Sequence, residues 1–279
     1  METSEEIKAV VKEKYARIAE QPKEQNQASC CGEGSCCSID YAVFAENYAK
    51  LKGYTPEADL GLGCGLPTEF AQIRTGDTVI DLGSGAGNDV FVARTLVGET
   101  GKVIGVDMTE AMIEKARANN DHLGFNNVEF RLGDIEHMPI TSNKADVVIS
   151  NCVLNLVPDK TKAFREIFRI LKPGGHFSIS DVVLQGELPP ALRRPAELYA
   201  GCVSGAMPKA DYLDIIQRTG FQNIAVVQEK TVRVPDDILL AYITPDELRE
   251  FKASGTQILS ITVYGRKHES TCCSGGSSC

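Results

Sequence analysis

The chain is poor in the side chain that most often carries acid–base chemistry. It has four histidines in 279 residues, His122, His137, His176 and His268, scattered and in no recognisable catalytic setting. No apolar run approaches the ~20 residues needed to span a bilayer, and the opening Met-Glu-Thr-Ser-Glu-Glu-Ile-Lys lacks the basic-then-apolar order of a secretion signal. Clustered lysine and arginine are missing too: 29 basic residues stand against 38 acidic ones, a net charge of −9, which argues against a nucleic-acid partner. A cytoplasmic protein without membrane or nucleic-acid contacts is expected, and a monomer. With 43% hydrophobic residues the chain can bury a full core.

Cysteine, by contrast, is plentiful, with ten in all. In a reducing compartment ten cysteines are not a disulfide framework, so they call for a redox, metal-binding or catalytic explanation. Seven crowd the ends: Cys30, Cys31, Cys36, Cys37, Cys272, Cys273 and Cys279. Three stand alone in the globular part: Cys64 and Cys202, both flanked by glycine, and Cys152, which follows Asn151 at the end of an apolar run. Taken singly, each reads equally well as a small buried hydrophobe. Together they offer three thiolates for a soft, thiophilic ion.

Ile7, Val10, Val11, Tyr15 and Ile18 form one helical stripe over 5–19, and 21–38 loses all periodicity. A short helix is expected near 41–50. From Asp77 onward, apolar runs at 78–82, 103–107, 128–131, 145–150 and 176–181 alternate with helical stretches at 89–96, 110–120 and 160–171, the last ended by Lys-Pro-Gly-Gly. That alternation predicts an α/β fold with a doubly wound, mostly parallel sheet. A helix at 209–219, strands at 223–228 and 257–265 and a helix at 245–252 follow, with the last strand finishing the sheet. The expected division is 1–60 for N-terminal helices and the Cys-rich loop, 61–187 for the nucleotide-binding core, 188–267 for a substrate region with closing strands, and 268–279 for a Cys-rich tail.

Asp81-Leu-Gly83-Ser84-Gly85-Ala-Gly87 lies where a strand turns into a helix, and glycines there let backbone approach a ligand. A dinucleotide fingerprint wants a further glycine at 88, which is Asn. Asp107, ending the second strand, suits two ribose hydroxyls. Asp134, Ile135 and Glu136 follow the third strand. The first loop resembles the opening motif of class I S-adenosylmethionine methyltransferases, a family with a seven-stranded Rossmann-like sheet. The resemblance implies a cofactor site made of Asp81, Gly83, Ser84, Gly85, Asp107, Met108, Asp134, Ile135, Glu136 and Asn151, with the acid and the apolar side chain after the third strand on adenine.

Over roughly 60–210, Gly-Cys64-Gly-Leu-Pro, Gly-Val-Asp107-Met108-Thr, Ser-Asn151-Cys152-Val-Leu-Asn-Leu-Val-Pro, Leu-Lys-Pro-Gly-Gly and Gly-Cys202-Val-Ser-Gly-Ala together resemble the arsenite S-adenosylmethionine methyltransferases. By that resemblance Cys152 and Cys202 hold trivalent arsenic throughout, Cys64 completes the site for arsenite, and Cys36 or Cys37 pairs with Cys64 during turnover. It implies arsenite and methylarsenite as substrates, detoxification as the outcome, and thioredoxin or glutathione as reductant. The departures are Leu62, where relatives often carry an aromatic before the Gly-Cys-Gly block, and the short region after Ala206. The cysteine-rich ends could capture arsenite or, through the Cys31–Cys36 spacing, hold zinc. Two other readings stand beside this one: methylation of a quinone-like or sterol-like molecule, and a thiol-based metalloid buffer without turnover.

Overall fold

The computed structural model describes residues 3–21, 48–192 and 205–269. Helix α1 (Ser4–Glu20) opens with a capping box, in which Thr3 accepts from the Glu6 N–H and the Glu6 carboxylate accepts from the Thr3 N–H. A one-turn helix α2 (Pro67–Phe70) follows the Cys64 segment. The core then alternates: β1 (Thr78–Leu82), α3 (Asn88–Val97), β2 (Lys102–Asp107), α4 (Glu110–Leu123), β3 (Val128–Leu132), β4 (Ala145–Asn151), α5 (Lys160–Ile170) and β5 (Leu171–Gln185). The remainder is α6 (Lys209–Thr219), β6 (Gln222–Val232), α7 (Asp236–Leu240), α8 (Pro245–Ala253) and β7 (Gln257–Arg266).

The seven strands form one sheet in the order β3-β2-β1-β4-β5-β7-β6. Five run parallel, and β7 pairs antiparallel with both β5 and β6. The period-2 alternation of the strands sorts their side chains onto two faces. Val79, Val103, Val147 and Ile149 pack under α3 and α4 with Phe91 and Ile113. Ile80, Leu82, Ile104, Val106 and Val148 pack under α5 and α6 with Phe164, Ile167 and Tyr212. Helix layers on both faces make the doubly wound arrangement, and the strand order reverses between β1 and β4, where such sheets leave a crevice at their carboxyl ends.

Two elements differ from the sequence expectation. Strand β5 begins at Leu171 and not at His176, directly where α5 ends, so Lys-Pro-Gly-Gly forms a bulge against β4 between the Ala145 and Val147 pairings rather than a loop. It also runs on to Gln185, because Asp181 to Gln185 pair residue by residue with β7 from Ile261 back to Gln257. The last strand does not finish the sheet. It inserts between β5 and β6, leaving β6 at the edge with alternate side chains exposed. The expected Cys-rich loop and most of the expected helix at 41–50 lie outside the described residues, whose only part of that helix is the turn Tyr48–Lys50.

Candidate active site

At the reversal point the loop after β1 turns back through Gly83 (φ 70°), Gly85 (φ 51°) and Gly87 (φ 101°), conformations that side chains resist. The Gly83 and Ser84 N–H groups bond to the Val106 carbonyl at 2.7 and 3.1 Å, and the Gly85 N–H donates to Asp107 Oδ2 at 3.0 Å. Asp107 Oδ1 accepts the Thr109 N–H at 2.8 Å. The loop is thus laid across the end of β2. It borders a cavity of about 1050 Å³, open mouth included, whose walls also come from α1 (Lys8, Val11, Tyr15), the 58–63 segment and Val153–Pro158.

Three carboxyls sit at the floor of this cavity. Burial raises Asp81 well above the usual carboxylate range, helped by repulsion from Asp89 and Asp107. Burial also pushes Asp89 up to about 6 against the opposing hydrogen bonds from Asn151 and Tyr48, and it raises Asp107. Lys8 is the only lysine or arginine among the described lining residues. It is already committed, at 2.6 Å from Asp134 Oδ2 and 2.9 Å from Glu136 Oε2. The cavity therefore favours a ligand that brings positive charge.

Beside it, the two described cysteines converge on β5. Asn151, at the end of β4, turns its Oδ1 to the N–H groups of Cys64 (3.0 Å) and Gly65 (3.2 Å), and its Nδ2 to the Gly65 carbonyl (2.8 Å). The Ser260 hydroxyl on β7 donates to the Cys64 carbonyl at 2.6 Å. Cys152 donates its N–H to the Ser180 carbonyl at 2.8 Å, and a Cβ on Gly65 would meet Ser180 Cβ at 2.6 Å. Cys152 and Gly65, the residue after Cys64, thus both approach Ser180 of β5. Cys64 and Cys152 are buried in one apolar cluster with Val11, Leu156, Val182 and Leu184, and Cys152 also borders the cofactor-sized cavity.

Beneath them, Tyr212 on α6 donates to Asp181 Oδ2 at 3.0 Å. Burial raises the tyrosine well above its ordinary range, followed by Asp181 and then by the two thiols. Burial pushes Asp181 up to about 6, while Lys160 pulls it down. The Lys160 ammonium itself is lowered by burial and donates to the Asn155 and Val157 carbonyls.

Of the sequence candidates, Asp81, Gly83, Ser84, Gly85, Asp107, Met108, Asp134, Ile135, Asn151 and Cys152 border the cavity. Glu136 stands behind it, bonded to Lys8 and to the Asp159 N–H. Cys64 lies against its wall. Cys202, Cys36, Cys37 and the tail cysteines lie outside the described residues, and among the described residues no group of three or more potential metal ligands forms. Sequence reading missed Asp89, Tyr48 and Lys8. Asp89 alone carried a signal, as an acid in the first turn of the helix that the glycine loop opens.

A family model described as a methyltransferase domain matches residues 73–220. The chain is 39% identical to an arsenite methyltransferase of Halobacterium salinarum across 94% of its own length and 67% of that protein. To an arsenite methyltransferase of Aquipseudomonas alcaligenes it is 33% identical, across 81% of its length and 65% of the relative. The chain belongs to the arsenite methyltransferase family. A solved structure of an arsenic(III) S-adenosylmethionine methyltransferase from Chlamydomonas reinhardtii aligns with a TM-score of 0.63 at 34% identity, covering 75% of this chain and 68% of that one. The chain spans about two thirds of the length of each of these three family members.

The methyl donor of this methyltransferase family, S-adenosylmethionine, fits the residues present. Its sulfonium and ammonium answer the excess of buried carboxyls. At Gly83 the loop has no room for a side chain, since a Cβ there would run into the Val153 side chain. Asn88 Oδ1, in the cavity wall, is buried with no hydrogen-bond partner among the described residues.

Proposed function

We propose that this protein transfers the methyl group of S-adenosylmethionine to trivalent arsenic held by Cys64, Cys152 and Cys202, converting arsenite to methylated arsenicals and so detoxifying it. The observation that supports this reading is that Cys64 and Cys152 are buried in one apolar cluster, with Cys152 bordering a cavity suited to a cationic cofactor.

Trivalent arsenic is soft and prefers thiolate ligands, and three of them leave its lone pair on the open side. Each cysteine replaces one arsenite hydroxyl, so the thiol proton and the hydroxyl leave together as water. When bound, S-adenosylmethionine would supply an electrophilic methyl; Asp81 would face its positive charge, Asp107 and Met108 would hold its ribose, and Asp134, Ile135 and Glu136 its adenine. The protein's work is positioning: a rigid pair of sulfur ligands gives the lone pair one direction of approach and leaves nothing for a general base to do. Methylation formally oxidises arsenic. An electron pair returned by two cysteine thiolates restores the trivalent state and leaves a disulfide, which thioredoxin or glutathione then reduces. Cys36 or Cys37 is the partner for Cys64 in that exchange. Such a cycle belongs in the reducing cytoplasm, with a monomer sufficient for it.

Cys152→Ser and Cys202→Ser should each lose at least about a hundredfold in kcat/KM with both arsenite and methylarsenite, since each removes a ligand used for both substrates. Cys64→Ser should lose mainly with arsenite, because a methylated arsenic has only two exchangeable positions. Full activity of Cys152→Ser or Cys202→Ser on both substrates would refute the assignment.

A further inference from the structure

Asp89, Tyr48 and Asn151 form a buried knot between the cofactor cavity and the Cys64 segment. The Tyr48 hydroxyl lies 2.9 and 3.1 Å from the two oxygens of Asp89 and 3.1 Å from the Gly65 carbonyl. Asn151 Nδ2 lies 3.1 Å from Asp89 Oδ2 and 2.8 Å from that same carbonyl. All three side chains border the cavity.

Counting protons shows what the knot can hold. Asn151 must point its oxygen at the Cys64 and Gly65 N–H groups, because only the oxygen can accept. Its two N–H protons have three acceptors in reach, the Tyr48 oxygen at 2.5 Å, the Gly65 carbonyl and Asp89 Oδ2, while the Tyr48 proton serves an ionised Asp89. A neutral Asp89 has a proton to place, and the near acceptor is the Tyr48 oxygen, so the tyrosine proton must turn to the Gly65 carbonyl. The change lands on the carbonyl of Gly65, the residue after Cys64. What favours the ionised form is positive charge in the cavity, which the protein does not itself supply there: Lys8 is held by Asp134 and Glu136. Without such charge, burial works against ionisation.

We propose that Asp89 is a positioning residue that, through Tyr48 and Asn151, couples the positive charge of the bound cofactor to the seating of Cys64, so that cofactor and arsenite bind cooperatively. This rests on the reading of Cys64 as an arsenic ligand. Linkage then requires each ligand to tighten the other by the same factor.

The test is calorimetric titration of the full chain with arsenite, with and without sinefungin, an analogue that carries a positively charged amine in place of the methyl sulfonium and has no methyl to give. At pH 5, where an acid that titrates near 6 is mostly neutral until positive charge arrives, wild type should bind arsenite up to about tenfold tighter with sinefungin, and at pH 8, where it is already ionised, the ratio should approach one. In Asp89→Asn, and in Tyr48→Phe, which keeps the packed ring, the ratio should fall below about twofold. A purely structural role would weaken arsenite equally in both conditions and leave the ratio intact. A wild-type ratio near one at pH 5, or variants that keep the wild-type ratio there, would overturn the coupling. Failure of wild type to bind arsenite at all would instead overturn the reading of the cysteines.

Discussion

Cys152 holds a left-handed backbone, φ 61°, at a position where a non-glycine residue is strained by ~1–3 kcal/mol. The strain is sustained by the Cys152 N–H bond to Ser180 and by the Asn151 amide just before it. It turns the chain so that Cys152 borders the cavity instead of continuing β4. Its counterpart is Gly65, where an added Cβ would lie 2.5 Å from Ser180 Oγ. Gly65→Ala should therefore destabilise the fold by ~1–3 kcal/mol through overpacking and displace Cys64. Urea denaturation reads the first effect and the KM for arsenite the second; wild-type values for both would show that the Cys64 segment does not depend on this contact. The glycines beside Cys64 were visible in the sequence, but their reason was not. Ser180, Asn151 and Ser260 are separated from Cys64 by 87 to 196 positions, and hydrogen bonds over such spans leave no local pattern.

At the scale of elements, the parallel core was legible because each strand there is a short apolar run between helical stripes, and that periodicity is local. Strand β5 was not. Its first residues include Pro173 and two glycines, which locally read as a loop, and only pairing with β4 and β7 makes them strand. Helix α7 was missed for a similar reason: five residues carry too little periodicity, and Ile238 and Leu239 are buried only by the cluster that holds the cysteines. Helix α1 was read correctly as amphipathic, but its role lies in its tertiary placement. Its Val11 packs into the cysteine cluster, its Tyr15 borders the cavity and its Lys8 clasps Asp134 and Glu136. This clasp closes the expected adenine end, so Lys8→Met should raise the KM for S-adenosylmethionine about fivefold to tenfold while kcat changes less than about twofold, as expected for lost uniform binding. An unchanged KM would mean that α1 does not cover bound cofactor.

The whole molecule is acidic, and three of its acids, Asp81, Asp89 and Asp107, surround a cavity whose only lysine or arginine among the described lining residues, Lys8, is already paired. Two of these acids were candidates from the sequence because they end strands, and the third emerged only from the fold. Beside that charge lie the two described cysteines, buried in one apolar cluster, which the proposed function uses as ligands of the acceptor. No helix among the described residues is long and apolar enough to cross a membrane. The most direct test of the account is to incubate the purified chain with arsenite, S-adenosylmethionine and thioredoxin or glutathione, then separate the arsenic species by chromatography with elemental detection. The account predicts methylated arsenic formed in step with S-adenosylhomocysteine and dependent on the thiol for repeated turnover. Arsenite recovered unchanged, with the cofactor bound, would contradict it.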